Sequence, residues 1–219
     1  MTTISISAEL KEKVPGIKLS CIECDVYVME TNDMLWDEIK NKIEELSAAL
    51  KISQISKLPA IAASRKAYKA CGKDPARYRL SAESLLRRVV KNKALYQVNN
   101  VVDVLNLVSI TTGFSIGGYD RDKIDGKVVM GIGAAAEPYE GIGRGKLNID
   151  FLPTFRDKKG AFGTPTSDSE RTAVTQNTKR FLMVIVDFGD GDLKAAKKIA
   201  AEYLERFSFG RNFKLKTVR

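Results

Sequence analysis

Apolar positions along this chain repeat sometimes every second residue and sometimes every third or fourth, and the changes of period predict its elements. Between Ile17 and Met29, the residues Ile22, Cys24, Val26 and Val28 alternate with their neighbours, as in a strand. A helix then begins near Asn32 or Asp33, with Leu35, Ile39, Ile43 and Leu46 on one face and charges between them. The stretch LPAIAASRKAYKACG is a second helix, with Pro59 near its start and Gly72 placed to end it. After Pro75 breaks the chain, Ser81 is the expected N-cap of a third helix, with Glu83 in its first turn where the dipole favours a carboxylate. Lys127–Ala134 and Lys146–Pro153 read as strands, and the wholly apolar FLMVIVDF as a buried central one. DLKAAKKIAAEYLERF reads as a closing amphipathic helix, followed by the basic tail GRNFKLKTVR. The mixed order of elements predicts an α+β fold, with mixed sheets packed against helices. Residues 1–58 read as a strand–helix elaboration packed on a core formed by 59–219, the whole being one compact unit.

The segment from Thr154 to Arg180 carries few large apolar side chains and many Gly, Ser, Thr and Asp residues, so it reads as one long loop. Loops of that length inside a compact domain are uncommon and often functional. Thr164, Thr166, Ser167, Asp168, Ser169, Arg171 and Thr172 place hydroxyls and a guanidinium beside a carboxylate. That chemistry suits a polar pocket for an amino acid or a ribose; it also suits a solvated insertion.

Composition narrows the chemistry. The chain has 36 Lys and Arg against 27 Asp and Glu, a net charge of +9. Such a balance favours a polyanionic partner, because each neutralised phosphate releases counterions, but it is also compatible with a protein that is merely basic. There is no histidine, which removes Ser-His and Cys-His nucleophile pairs, HExxH zinc sites and imidazole as a general base. Of the three cysteines, Cys21 and Cys24 form a CxxC within a strand pattern. Positions three apart in a strand face opposite sides, so these thiols cannot share a metal and read as buried structural residues. No metal or other cofactor is expected. No run of about 18 apolar residues exists to span a membrane, and the start lacks the basic and apolar regions of a signal peptide. A cytoplasmic location is the expectation.

The segment NNVVDVLNLVSITTGFSIGGYD, residues 99–120, combines a helical apolar stripe (Val101, Val104, Leu105, Val108) with two polar residues, Asp103 and Asn106. It then falls into a glycine-rich loop with Gly113, Gly117 and Gly118. This segment resembles N-x-V-V-D-V-T-N-Y-V…G-Q-P-x-H-A-F-D of the B3/B4 module in the bacterial phenylalanyl-tRNA synthetase beta subunit. Asn100, Val102, Asp103, Val104, Asn106, Val108, Gly113 and Asp120 all fall in place. A looser similarity extends from about Arg65 to Val186. The resemblance implies a free-standing B3/B4 domain, a tRNA partner engaged at its aminoacylated acceptor end, and an editing site that hydrolyses misacylated tRNA. Within that frame Asn106 is the candidate catalytic residue. Gly117, Asp168, Ser169, Arg171 and Thr172 are candidates for substrate binding, and Arg79, Arg87 and Lys91 for RNA phosphates. Asp103 is expected to fix structure, since a buried carboxylate must be hydrogen-bonded.

Three departures bear on activity. The family's Thr just before the Asn is Leu105 here, its His eleven residues after that Asn is Gly117, and its tyrosine-reading Glu aligns near Val184. Replacing His by Gly117 is expected to widen the pocket or to admit a larger side chain. Two readings follow: hydrolysis of a misacylated tRNA in trans, assisted by the neighbouring ribose hydroxyl, or a non-catalytic RNA- or amino-acid-binding protein that kept the fold. ATP-dependent aminoacylation would need a catalytic domain not found in this sequence.

Overall fold

In the computed structural model, which describes residues 1–189 and 191–219, the elements run β1 (Ile4–Ile6), α1 (Ala8–Lys13), β2 (Lys18–Asp25), α2 (Asp33–Ala49), α3 (Ile52–Ile55), α4 (Pro59–Cys71), α5 (Ser81–Val90) and α6 (Asn100–Thr112). There follow β3 (Ser115–Asp120), β4 (Val128–Ile132), β5 (Glu140–Gly141), β6 (Gly145–Lys146), β7 (Pro153–Asp157), β8 (Gly160–Gly163), β9 (Arg180–Asp187), α7 (Leu193–Ser208) and β10 (Arg211–Val218). The strands form two four-stranded sheets, ordered β1-β4-β7-β8 and β10-β2-β9-β3, with β5 and β6 as a separate hairpin. No helix among the described residues is long and apolar enough to cross a membrane.

Two cores explain the layering. One lies between the sheets and joins Leu19 and Cys21 of β2 and Leu182, Val184 and Val186 of β9 to Phe155 and Phe162 of the other sheet. The second lies on the opposite face of β9, where Met183 and Ile185 meet the helices through Leu35, Leu86, Val104, Val108 and Leu204. β9 is therefore buried on both faces, which is why its sequence is apolar without alternation. Cys21 belongs to the first core and Cys24 to the second. Burial pushes both thiols up to about 12, so they are inert packing residues. The N-terminal segment is woven into this framework: β1 pairs with β4, and β2 sits between β10 and β9.

The helices start and stop for the expected local reasons. Asn32 caps α2 by accepting from the Leu35 amide, and Gly72 closes α4 at φ +94°, a conformation that favours glycine. Four expectations are corrected. Ser115–Asp120, expected as a glycine-rich loop, is strand β3, held by its antiparallel pairing with the apolar β9. Leu80, not Ser81, is the N-cap of α5, and the Ser81 amide instead donates to the Pro165 carbonyl at 2.8 Å. Residues 147–152, expected in a strand, are irregular. The Lys73 ammonium draws the Asp150 carbonyl to 2.6 Å, and Phe151 takes a positive φ of 63°. A buried cation thus overrides the alternation of Leu147, Ile149 and Phe151. Finally, the segment after Thr154 is not one loop: it holds the β7–β8 hairpin and a 3₁₀ turn at Glu170–Thr172. Phe155 and Phe162, few but large, anchor that hairpin in the inter-sheet core.

Candidate functional site

The motif helix α6 uses most of its polar residues to hold the fold. Asn99 caps it through the Val101 and Val102 amides. Asn100 donates to the Tyr27 and Phe207 carbonyls at 2.9 Å and accepts from the Met29 amide. Asp103 accepts from the Thr31 hydroxyl and the Val98 amide. Burial still leaves its pKa raised despite those donors. Asp103 is thus a structural carboxylate, tying α6 to the chain that precedes α2. Asn106 is half-buried on the same helix.

Strand β3 brings the three departures from the family pattern close together. Gly117 is paired directly with Val184 across β3–β9. Leu105 lies over the next residue, since a Cβ on Gly118 would stand 2.5 Å from a Leu105 methyl. The space beside Gly117 is not free for a ligand: of the two expectations, a wider pocket or a larger side chain admitted there, the second matches the structure. A Cβ there would lie 2.0 Å from the Tyr119 hydroxyl, and one on Gly163 only 2.2 Å from it. Tyr119 therefore threads its phenol between two glycines of facing sheets. Its ring packs edge-on to Phe162, centroids 4.9 Å apart, and also against Phe155. The side chain is fully buried.

Asp168 closes this seam. Its carboxylate accepts from the Gly118 amide at 3.1 Å and lies beside the Tyr119 hydroxyl. The remaining carboxylate oxygen and the phenol do not close into a well-formed hydrogen bond among the described residues. Burial dominates and pushes the Asp168 carboxyl up to about 7, opposed by those two donors. Burial also raises Tyr119, reinforced by the Asp168 charge. Among the substrate-binding candidates, then, Gly117 and Asp168 belong to a filled seam. Thr172 is likewise buried, its hydroxyl donating to the Phe162 carbonyl.

Ser169 and Arg171 face elsewhere. Together with Tyr139, Asn148 and Lys159 they line an open groove of 680 Å³ between the β5–β6 region and β8. Arg171 is held in a bidentate pair with Asp157, at 2.9 and 3.0 Å. That pair and the Asp125 and Lys159 amides outweigh burial and hold the Asp157 carboxyl below its usual range. Ser169 accepts from the Arg171 amide, and Tyr139 donates to the Ser167 carbonyl at 2.6 Å. Asn106 does not line this groove. The predicted catalytic residue and the predicted substrate residues Ser169 and Arg171 are thus not brought together there.

The basic candidates also separate. Arg87 is bound to Glu83 at 2.9 Å, and Arg65 reaches the same fully buried carboxylate at 2.8 Å. Arg79 and Lys91 are exposed beyond opposite ends of α5, a helix about 15 Å long at 1.5 Å per residue. Arg79 lines a small cleft with Arg77, Tyr78 and Arg144. Tyr119, Tyr139, Gly163 and Arg144 also belong to these sites, although the sequence does not single them out. Tyr119 alone carried a signal, lying two residues after Gly117 and so on the same face of a strand.

A comparison with curated proteins finds no match. Among solved structures, the chain is similar to an N-terminal fragment of the phenylalanyl-tRNA synthetase beta-subunit from Pyrococcus horikoshii, with a TM-score of 0.50 and 15% identity. That likeness covers 99% of this chain and 50% of the fragment, so the chain spans half the length of its structural relative. The B3/4 domain family matches residues 63–214, which include α6, the Tyr119 seam and both clefts. This chain belongs to the B3/4 domain family.

Proposed function

We propose that this chain is a tRNA-binding B3/4 module that holds the acceptor end without hydrolysing its ester. The observation that carries this reading is the filled seam. At the positions where the family resemblance expects Thr, His and Glu, the chain has Leu105, Gly117 and Val184, and Tyr119 takes the space beside Gly117. With Tyr119 filling that point, no water can stand against the one base there, the Asp168 carboxyl. Binding draws support from the family itself, from the relative's being part of a tRNA synthetase, and from the +9 charge. Arg79 and Lys91 supply phosphate contacts, which position a strand without reading its sequence.

The open groove favours one second reading. Ser169 and Arg171 line a space of 680 Å³, which suits an aminoacyl end whose own ribose hydroxyl assists a water to attack the ester carbonyl. One experiment separates the two. A panel of tRNAs charged with different amino acids is incubated with wild type, Asn106→Ala and Ser169→Ala, while filter binding follows tRNA across a salt series. The expected result is salt-sensitive binding with no release of any amino acid. Release of one amino acid by wild type overturns the non-hydrolytic reading. Loss of that release in Ser169→Ala would place the chemistry in the groove, and loss in Asn106→Ala would place it on α6.

A further inference from the structure

The cleft where the α4–α5 connection meets the β5–β6 hairpin has a composition that the fold itself does not require. Arg77 and Arg79 come from the connection, Arg144 from the hairpin tip, and Tyr78, Thr164 and Thr166 complete the lining. Of the other ten arginines, seven meet a carboxylate, and Arg88, Arg211 and Arg219, which meet none among the described residues, lie outside this cleft. Arg65 and Arg87 share Glu83, while Arg121, Arg156, Arg171, Arg180 and Arg206 each meet a carboxylate. Among the described residues Arg77, Arg79 and Arg144 meet none, and all three are exposed. Gathering unpaired like charges around one opening is unfavourable unless an anion enters it.

The surroundings are fixed in advance. Thr164 Oγ1 accepts from the Thr166 and Ser167 amides and donates to the Ser167 carbonyl, and the Tyr68 hydroxyl bonds Thr166. Lys73 is anchored on the Asp150 carbonyl and places its ammonium 3.7 Å from the centre of the Tyr78 ring, so one face of that ring is already occupied by a cation. The cleft measures 140 Å³, room for about four or five waters at roughly 30 Å³ each. A phosphate fits that space, whereas a whole nucleoside does not. Leu147 and Asn148 line both this cleft and the 680 Å³ groove, so the two openings are neighbours across one strip of chain.

The geometry points to a phosphate clamp: Arg77, Arg79 and Arg144 hold one backbone phosphate of an RNA strand beside Tyr78, and the strand end runs over Leu147–Asn148 into the larger groove. Guanidinium groups suit this task because they bind phosphate oxygens bidentately. The identity of the strand rests on the tRNA-binding reading above; the phosphate chemistry of the cleft does not.

The test uses the full chain and four proteins: wild type, R77Q/R79Q/R144Q, R77K/R79K/R144K, and a control, K40Q/K194Q/K198Q, which removes the same charge from exposed sites on α2 and α7. Filter binding measures uncharged tRNA across a salt series, and amide NMR shifts follow a titration with inorganic phosphate. The glutamine triple is expected to lose about tenfold or more in affinity and to flatten the log–log salt slope by about 0.7–0.9, the value for one lost phosphate contact. The lysine triple keeps the slope and loses affinity, and the control changes affinity by less than about threefold. Phosphate is expected to shift the amides of Tyr78, Thr164 and Thr166 in wild type only. If the glutamine triple and the control lose affinity equally, the clamp is overturned while RNA binding stands. If wild type ignores tRNA yet shows the phosphate shifts, the RNA reading fails and the cleft stands as a site for a small phosphorylated ligand. Absence of both signals overturns both.

Discussion

Around Tyr119 the chain assembles two glycines, two phenylalanines and a buried carboxyl, and no space remains. Around Tyr78 it assembles three unpaired guanidinium groups and a bound lysine, and the space stays open. The first arrangement stabilises the fold by itself, because a buried aromatic ring removes a large apolar surface from water. The second does nothing for the isolated fold, since its charges repel and its cleft is solvated. A position where the resemblance implies chemistry is packing here, while a loop region outside the central motif has the marks of a ligand site. Fold membership and site location are separate questions in this protein.

That contrast can be broken most forcefully at Tyr119. Tyr119→Ala is expected to destabilise the protein by about 3–5 kcal/mol, the usual range for deleting a buried aromatic ring, as read by chemical denaturation. A loss below 1 kcal/mol would mean that the seam is not packed as described.

Asp168 offers a pH handle on the same seam. Its folded pKa of about 7 lies above the ordinary carboxylate value, so the folded state holds the proton more tightly than the unfolded chain. The stability it contributes is complete below about pH 4 and is lost as pH rises through 7, by up to about 1.4 kcal/mol per pH unit. Asp157 and Glu137 are held low by Arg171 and Arg156 and act in the opposite sense at acid pH. The informative quantity is therefore the difference between wild type and Asp168→Asn. That difference should slope between pH 4 and 7, and a flat one would remove the buried-carboxyl account.

Gly117→Ala sharpens the argument about filling. The new Cβ meets the Tyr119 hydroxyl, and overpacking of this kind costs about 1–3 kcal/mol. Adding Tyr119→Phe should recover part of that loss, because it removes the nearest atom. Strict additivity in this double-mutant cycle would show that the two residues do not touch.

The smallest effect belongs to the open cleft. R77Q, R79Q and R144Q should each change the melting free energy by less than about 0.5 kcal/mol, as exposed substitutions generally do. A larger loss would assign those arginines to the fold and remove the contrast.

Local pattern made much of the framework readable. The caps and apolar stripe of α6, the wholly apolar β9, and the Pro59 and Gly72 boundaries of α4 are signals contained within a few residues. The site was less readable, because neighbouring residues in the sequence point into different places. Asp168 turns into the seam while Ser169 lines the groove, and Arg87 serves Glu83 while Arg79 opens on the cleft. The β7–β8 hairpin was hidden for a related reason: its anchors, Phe155 and Phe162, are single apolar residues in a polar stretch, and their partners lie in other strands.

By itself, then, the sequence determined the α+β class, the central helix α6, the absence of histidine chemistry and the basic charge, all of which follow from local periodicity or from composition. Only the tertiary structure decided that Tyr119 fills the space beside Gly117. Its hydroxyl is confined by Gly163, a residue on the facing sheet. Only the tertiary structure gathered Arg77, Arg79 and Arg144 at one cleft. Helix capping and strand alternation act over a few residues, whereas a filled seam or a gathered charge depends on which distant segments the packing of two sheets brings face to face.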